Sequence, residues 1–158
     1  MTKQKKSKLA ASSKSILNRR ARYDYELIDE LRVGIVLSGP EVRAARDHHV
    51  QLKGSYVTVK SGELWLNNAS FSVKTNEPNS SQSRTVQTQP RKLLAKQREI
   101  SNLLESKKTG MTIVPLKLIT TGKFIKLIIS LGKGKKSYDK RQTIKKRDLE
   151  REARQGKV

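Results

Sequence analysis

Between Tyr25 and Leu37 apolar side chains recur on alternate positions: Tyr25, Leu27, Leu31, Val33, Ile35 and Leu37 share one face, and Asp29 interrupts it. A period of two sustained over this length predicts a long, half-buried strand, with a bulge near Asp29 or Gly34. A long strand leaves an exposed edge unless neighbours pair with it, so it constrains what the rest of the chain must supply.

The neighbours are legible. Leu52–Lys60 and Glu63–Ser70 read as a hairpin around Ser61-Gly62, with Leu64 and Leu66 facing in and Trp65 out. Thr112–Ile119 and Phe124–Leu131 read as a second hairpin across Thr121-Gly122. Pro115 within it points to an edge strand or a bulge. Ser38-Gly39-Pro40-Glu41 opens a short helix through about Arg46, with Ser38 as cap and Glu41 closing a capping box. Val73–Gln89 is rich in Ser, Thr, Asn and Gln and reads as a mobile loop. From Pro90 the period becomes helical, with Arg91 and Lys92 beginning the helix and Gly110 ending it. Antiparallel strands dominate. The expected fold is mainly β (α+β): a small closed or partly open antiparallel barrel packed by helices.

Charge divides the chain further. The net charge is +21 over 158 residues, well beyond what solubility asks of a small domain. Residues 1–22 carry eight Lys/Arg and no acid, and residues 132–158 carry eleven against four acids, so the stretch between them is nearly balanced. The organisation read here is a disordered basic arm at 1–17, a folded body at 18–131 and a basic tail at 132–158. The tail opens with Gly132-Lys133-Gly134-Lys135-Lys136-Ser137-Tyr138-Asp139-Lys140-Arg141, read as a flexible junction suited to phosphate and base contact. Polyanionic RNA or DNA is the natural partner, and affinity should fall steeply with salt. No stretch approaches the roughly 20 apolar residues of a membrane span, and neither arm has the apolar face of an interfacial helix, so no membrane partner is expected. Met1–Ile16 lacks the apolar core of a secretory signal; its basic, Ser-rich character also fits a mitochondrial address, but a cytoplasmic location is the expectation. The absence of cysteine removes disulfides, thiol catalysis and zinc ribbons together. His48 and His49 are adjacent, point different ways and have no further ligands nearby in sequence, so no metal or other cofactor is expected. No acid cluster stands out on a strand end, which argues against an enzyme.

Several stretches, in order, resemble the small protein B (SsrA-binding protein) family. They are Asn18-Arg19-Arg20-Ala21-Arg22, Gly34-Ile35-Val36-Leu37 with Gly39, Glu41-Val42-Arg43 with Arg46, Ser55-Tyr56-Val57, Arg91-Lys92-Leu93-Leu94 with Arg98-Glu99, Pro115-Leu116, and Gly134-Lys135-Lys136 with Asp139-Lys140-Arg141. The resemblance implies an OB-like barrel with flanking helices that binds the tRNA-like domain of transfer-messenger RNA. It implies delivery of that RNA to stalled ribosomes in trans-translation, in company with elongation factor Tu, the protein being monomeric when bound. It further implies a C-terminal tail, disordered when free and helical on the ribosome, that enters the empty mRNA path near the small-subunit decoding centre and its ribosomal RNA. The competing reading is a ribosomal or general structured-RNA-binding protein.

Individual residues carry these expectations. Arg19, Arg20 and Arg22, with the amide of Asn18, suit phosphates and stacked bases. Glu41 caps a helix, and the resemblance also puts it on the RNA face with Arg43. Arg91 and Lys92 join that set. Leu93 and Leu94 cannot both point inward from a helix; Leu93 is assigned to the core and Leu94 to the RNA-facing surface, the alternative being that both are core. Lys133, Lys135 and Lys136 complete the RNA-binding set. In the tail Tyr138 has no core to join and suits base stacking. Asp139 is placed to order the Lys140 or Arg141 beside it, the alternative being a solubilising charge, and the resemblance extends the decoding-centre role to Lys145, Lys146 and Arg147. One departure is plain: the family commonly has Glu two residues before the glycine of its first strand, where this chain has Arg32, which leaves Glu30 or a changed RNA partner to compensate.

Overall fold

The computed structural model describes residues 15–75 and 83–156. In chain order it contains β1 (Ser15–Leu17), α1 (Arg19–Asp24), β2 (Tyr25–Ile35), α2 (Gly39–Arg46), β3 (Val50–Gln51), β4 (Tyr56–Lys60), β5 (Glu63–Asn67), β6 (Ser70–Lys74), β7 (Arg84–Gln87), β8 (Arg91–Leu94), α3 (Gln97–Ser106), β9 (Met111–Ile119), β10 (Lys126–Gly134) and α4 (Ser137–Arg154). The alternating segment is β2, and it is bulged where the misfit stands. Opposite β10 the register passes from Ser130↔Glu30 to Leu131↔Ile28, so Asp29 is the extra residue, at φ 50°. The Ser130 hydroxyl donates to the Ile28 carbonyl at 2.9 Å and satisfies a group the bulge would otherwise strand.

Seven strands run in the order β1-β9-β10-β2-β8-β5-β4, and β4 returns to β9 through the single pair Val57↔Ile113. The sheet therefore curls into an antiparallel barrel that is partly open rather than fully laddered. A second sheet, β3-β6-β7, lies beside it. Leu64, Leu66, Phe71, Leu118, Leu127, Ile129 and Leu131 are fully buried at the centre. Burying apolar side chains like these stabilises the fold by about 1.5–3 kcal/mol each.

Pro115 resolves as the bulge alternative. Ile128 pairs with Lys117 and Ile129 with Pro115, leaving Leu116 as the extra residue. On the other side of β9, β1 ends its pairing at Lys117 and β4 touches only Ile113. Pro115 falls between those two partners, where a missing N–H costs the ladder nothing.

Five expectations are corrected. Ser15–Leu17 is a strand rather than part of a disordered arm, because it pairs with Lys117–Ile119 and Ile16 packs on the core; the expectation for residues 1–14 lies outside the described residues. The segment 73–89 is not simply a loop: β6 and β7 pair from Phe71↔Gln87 to Lys74↔Arg84, driven by burial of Phe71 and Val73, while 76–82 lie outside the described residues. Arg91–Leu94 is strand, not the start of the helix, which begins at Gln97. Leu93 does point in and Leu94 out, but by the alternation of a strand paired to Ile35 and Leu64. Gly132–Gly134 is no flexible junction. It continues β10 opposite Tyr25–Leu27, and a Cβ on Gly132 would stand 3.0 Å from Cβ and Cγ of Tyr25. Glycine is what lets the Tyr25 side chain lie across the sheet there. Finally, the tail residues Ser137–Arg154 are helical here rather than disordered, capped electrostatically by Asp139 in the first turn and Arg151 and Arg154 in the last.

Candidate nucleic-acid interface

Three of the residues expected to meet RNA turn inward instead. Glu41 and Arg91 are 2% and 3% exposed. Glu41 Oε2 accepts the Ser38 amide at 2.9 Å, completing the expected cap. Its Oε1 accepts Arg91 Nε at 2.9 Å and lies 2.8 Å from Arg91 Nη2. The remaining guanidinium hydrogens go to the carbonyls of Ala69 (3.0 Å), Gln89 (2.8 Å) and Gln87 (3.2 Å), and the plane lies 3.9 Å from the centre of the Phe71 ring. The pair thus clamps α2, β6, β7 and β8 together. Burial pushes the Glu41 carboxyl upward, but the Ser38 amide and the Arg91 charge outweigh it and hold the group below its ordinary value. Every donor of Arg91 is committed within the fold, so neither side chain presents a surface to a ligand.

Asn18 is the third. Its Nδ2 donates to the carbonyls of Leu52 (3.1 Å) and Pro115 (2.9 Å), and its Oδ1 accepts the Ala21 amide at 3.3 Å. The side chain caps α1 and pins it to the barrel, satisfying the proline carbonyl at the bulge. What Asn18 does is aim the residues that follow it.

Those residues build a groove. Arg19, Arg20 and Tyr23 from α1, Lys53 from the β3–β4 connection and Arg147 from α4 line a cleft of about 650 Å³ whose walls contain no carboxylate. Four cations from three distant segments face one space, which suits a run of phosphates. The seam between α1 and α4 is organised by Tyr23 and Asp24. Asp24 Oδ2 takes Arg20 Nε at 2.9 Å and Oδ1 takes Lys140 Nζ at 3.2 Å. Both cations also lie over the Tyr23 ring, at 5.1 and 5.8 Å. Partial burial raises the Asp24 carboxyl, and the hydrogen bonds and charges of Lys140 and Arg20 bring it below its ordinary value. Lys135 Nζ donates to the Arg22 carbonyl at 3.1 Å, and its amide to the Asp24 carbonyl at 2.8 Å.

The other expected residues spread outward. Arg22, Lys133 and Lys136 are exposed near the α1–β10 end. Lys92 pairs with Glu63 at 2.6 Å on the outer barrel face. Leu94 and Val36, 53% and 50% exposed, lie on the same outer face of neighbouring strands, as does the exposed Arg32. Arg43 sits in a separate cleft on α2. In α4, Tyr138 is 67% exposed and its hydroxyl accepts Gln142 Nε2 at 2.9 Å. Asp139, Arg141, Lys145 and Lys146 are exposed, and no residue of α4 is buried.

Sequence reasoning missed Lys53 and Tyr23. Tyr23 carried a usable signal, an aromatic directly after an arginine run. Lys53 carried none, being one cation among many until the loop after β3 brings it to α1. Among the described residues no three His, Asp or Glu gather as a metal site, and no helix is long and apolar enough to cross a membrane.

The family model described as SmpB protein matches residues 15–157. The SsrA-binding protein of Streptococcus pyogenes serotype M5 (strain Manfredo) is 45% identical over 138 residues, covering 85% of this chain and 86% of its own. That of Coprothermobacter proteolyticus is 45% identical over 146 residues, covering 89% and 95%. A chain of the solved structure "tmRNA-SmpB: a journey to the center of the bacterial ribosome" superposes with a TM-score of 0.61 at 32% identity, over 79% of this chain and 87% of that one.

Proposed function

This chain belongs to the SmpB (SsrA-binding protein) family, and from that premise we propose that it is the RNA-binding factor of trans-translation. Its body binds the tRNA-like domain of transfer-messenger RNA, and its tail acts on the stalled ribosome once that RNA is delivered. The observation that carries the reading is the carboxylate-free groove of Arg19, Arg20, Lys53 and Arg147 on a barrel of the family's kind. Arg22, Lys133, Lys135 and Lys136 extend the positive surface from its α1 side. Leu94 and Val36 offer an apolar spot on which a sugar or base can pack. Asn18, Glu41 and Arg91 serve the RNA by positioning α1, α2 and β8, not by touching it.

Tail and body have different duties. Helix α4 buries no residue, and Lys140 is its one ion-paired link to the body among the described residues. A helix so lightly held, with cations along it, is suited to leave the body and bind ribosomal RNA in the empty mRNA path at the decoding centre. Tyr138 is free to stack there, and Asp139, Lys140, Arg141, Lys145, Lys146 and Arg147 supply the polar contacts. The division at residue 131 is then better put after Gly134, where β10 ends. The protein acts without covalent chemistry, as a monomer on the RNA, in the cytoplasm, with elongation factor Tu bound to the same charged RNA.

The test is binding to the tRNA-like domain in excess bulk tRNA at physiological salt. Retained binding supports specific recognition. Complete loss to the competitor leaves only the sequence-independent charge contribution and favours a general RNA-binding protein.

A further inference from the structure

We propose that the protein carries a second phosphate-binding cleft, between α2 and the β6–β7 hairpin, that holds an RNA backbone through Arg43, Lys74 and Arg84. The inference rests on the RNA-binding reading above but concerns a separate surface. The cleft encloses about 430 Å³ between Pro40, Arg43, Ala44, Arg46, Asp47, Lys74 and Arg84. It shares no lining residue with the groove at α1. Four cations face it against one acid.

Their states differ in a way that suits a site. Arg46 is anchored by backbone, donating to the carbonyls of Thr120 (3.2 Å), Gly122 (3.1 Å) and Lys123 (3.4 Å), which fixes its charge without neutralising it. Arg84 is steered by one bond, from Nη1 to the Ser72 carbonyl at 3.3 Å. Arg43 and Lys74 are exposed, and their side chains engage no partner among the described residues. Lys74 and Arg84 face each other as a cross-strand pair. Like charges directly opposite destabilise a hairpin, and an anion lying between them relieves that repulsion. The anchored guanidiniums of Arg46 and Arg84, beside the unpartnered Arg43 and Lys74, are donors that suit phosphodiesters. An open cleft at the edge of a small sheet admits a polymer backbone as readily as a single anion. The chemistry is that of an RNA phosphodiester chain, and either transfer-messenger RNA or ribosomal RNA supplies it.

The test uses the full chain carrying Lys74→Gln and Arg84→Gln, with Arg43→Gln as an independent variant should the hairpin pair fail to fold. Lys107→Gln/Lys108→Gln, in the loop before β9, controls for net charge. Affinity is measured across a salt series for two probes, the isolated tRNA-like domain and ribosomes stalled on a truncated message. The expected result is a fall of about 2 in the slope of log affinity against log salt for the double variant on at least one probe, with the control unchanged. The probe that loses slope identifies the RNA. A slope unchanged on both probes, or reduced equally in the control, overturns the second cleft. Failure of the wild-type chain to hold the tRNA-like domain against competitor overturns the underlying reading instead, so the two failures are distinguishable.

Discussion

Lys140 reaches across from α4 to set its Nζ 3.2 Å from Asp24 Oδ1, while Arg20 takes the other oxygen of the same carboxylate at 2.9 Å. One acid thus joins α1, which lines the basic groove, to α4.

Asp24→Asn should loosen that joint. Amide exchange through Ser137–Glu150 should speed up several-fold, while the unfolding free energy of the body changes by less than about 1 kcal/mol, as for partly exposed pairs generally. The pH dependence has a definite sign. Asp24 titrates below its ordinary 3.8, so the joint is intact above that value and is lost as pH falls through the lower folded-state value. Amide exchange as a function of pH reads both effects, and unchanged exchange in the variant would rule the joint out.

Arg91→Met should unfold the protein more readily without weakening the RNA affinity of the molecules that remain folded. It strands Glu41 in the interior, a loss of about 3–5 kcal/mol. Chemical denaturation measures the stability, and titration below the unfolding range measures affinity. A residue in direct RNA contact would behave in the opposite way, losing affinity at constant stability.

Lys53→Gln should lower the salt slope for binding the tRNA-like domain by about 1, with the thermal midpoint unchanged. Arg19→Gln should do the same, and the two effects should add because each cation neutralises a different phosphate. Equal slopes in wild type and Lys53→Gln would remove Lys53 from the interface.

Truncation after Lys136 should cost binding to the tRNA-like domain only the contribution of Arg147, a salt slope lower by about 1, and abolish peptide tagging on stalled ribosomes. The position matters. A cut after Gly132 also deletes Lys133 and Gly134, which pair with Glu26 and Tyr25 in the sheet, so it damages the body it is meant to spare. Tagging by the truncated protein would show that the two-part mechanism is wrong.

What the sequence determined by itself is everything governed by short-range repetition. Alternation from Tyr25 marked β2, and its one polar interruption marked the bulge at Asp29. Ser38 and Glu41 declared a helix start, and the turn glycines of the two hairpins declared reversals. Composition separated a nearly balanced body from its cationic ends. The period failed at Arg91–Leu94, where two adjacent leucines fit helix and strand alike until pairing with Ile35 and Leu64 decided for strand. Tertiary structure alone decided which charges face inward. Glu41 and Arg91 stand fifty residues apart and look like any exposed pair in sequence; only their meeting over Phe71 makes burial affordable for both. The same is true of the surface. Arg19, Lys53 and Arg147 share a groove, and Arg43, Lys74 and Arg84 a cleft, because the folded sheets bring distant segments together, and no local pattern encodes which of 35 basic residues will converge.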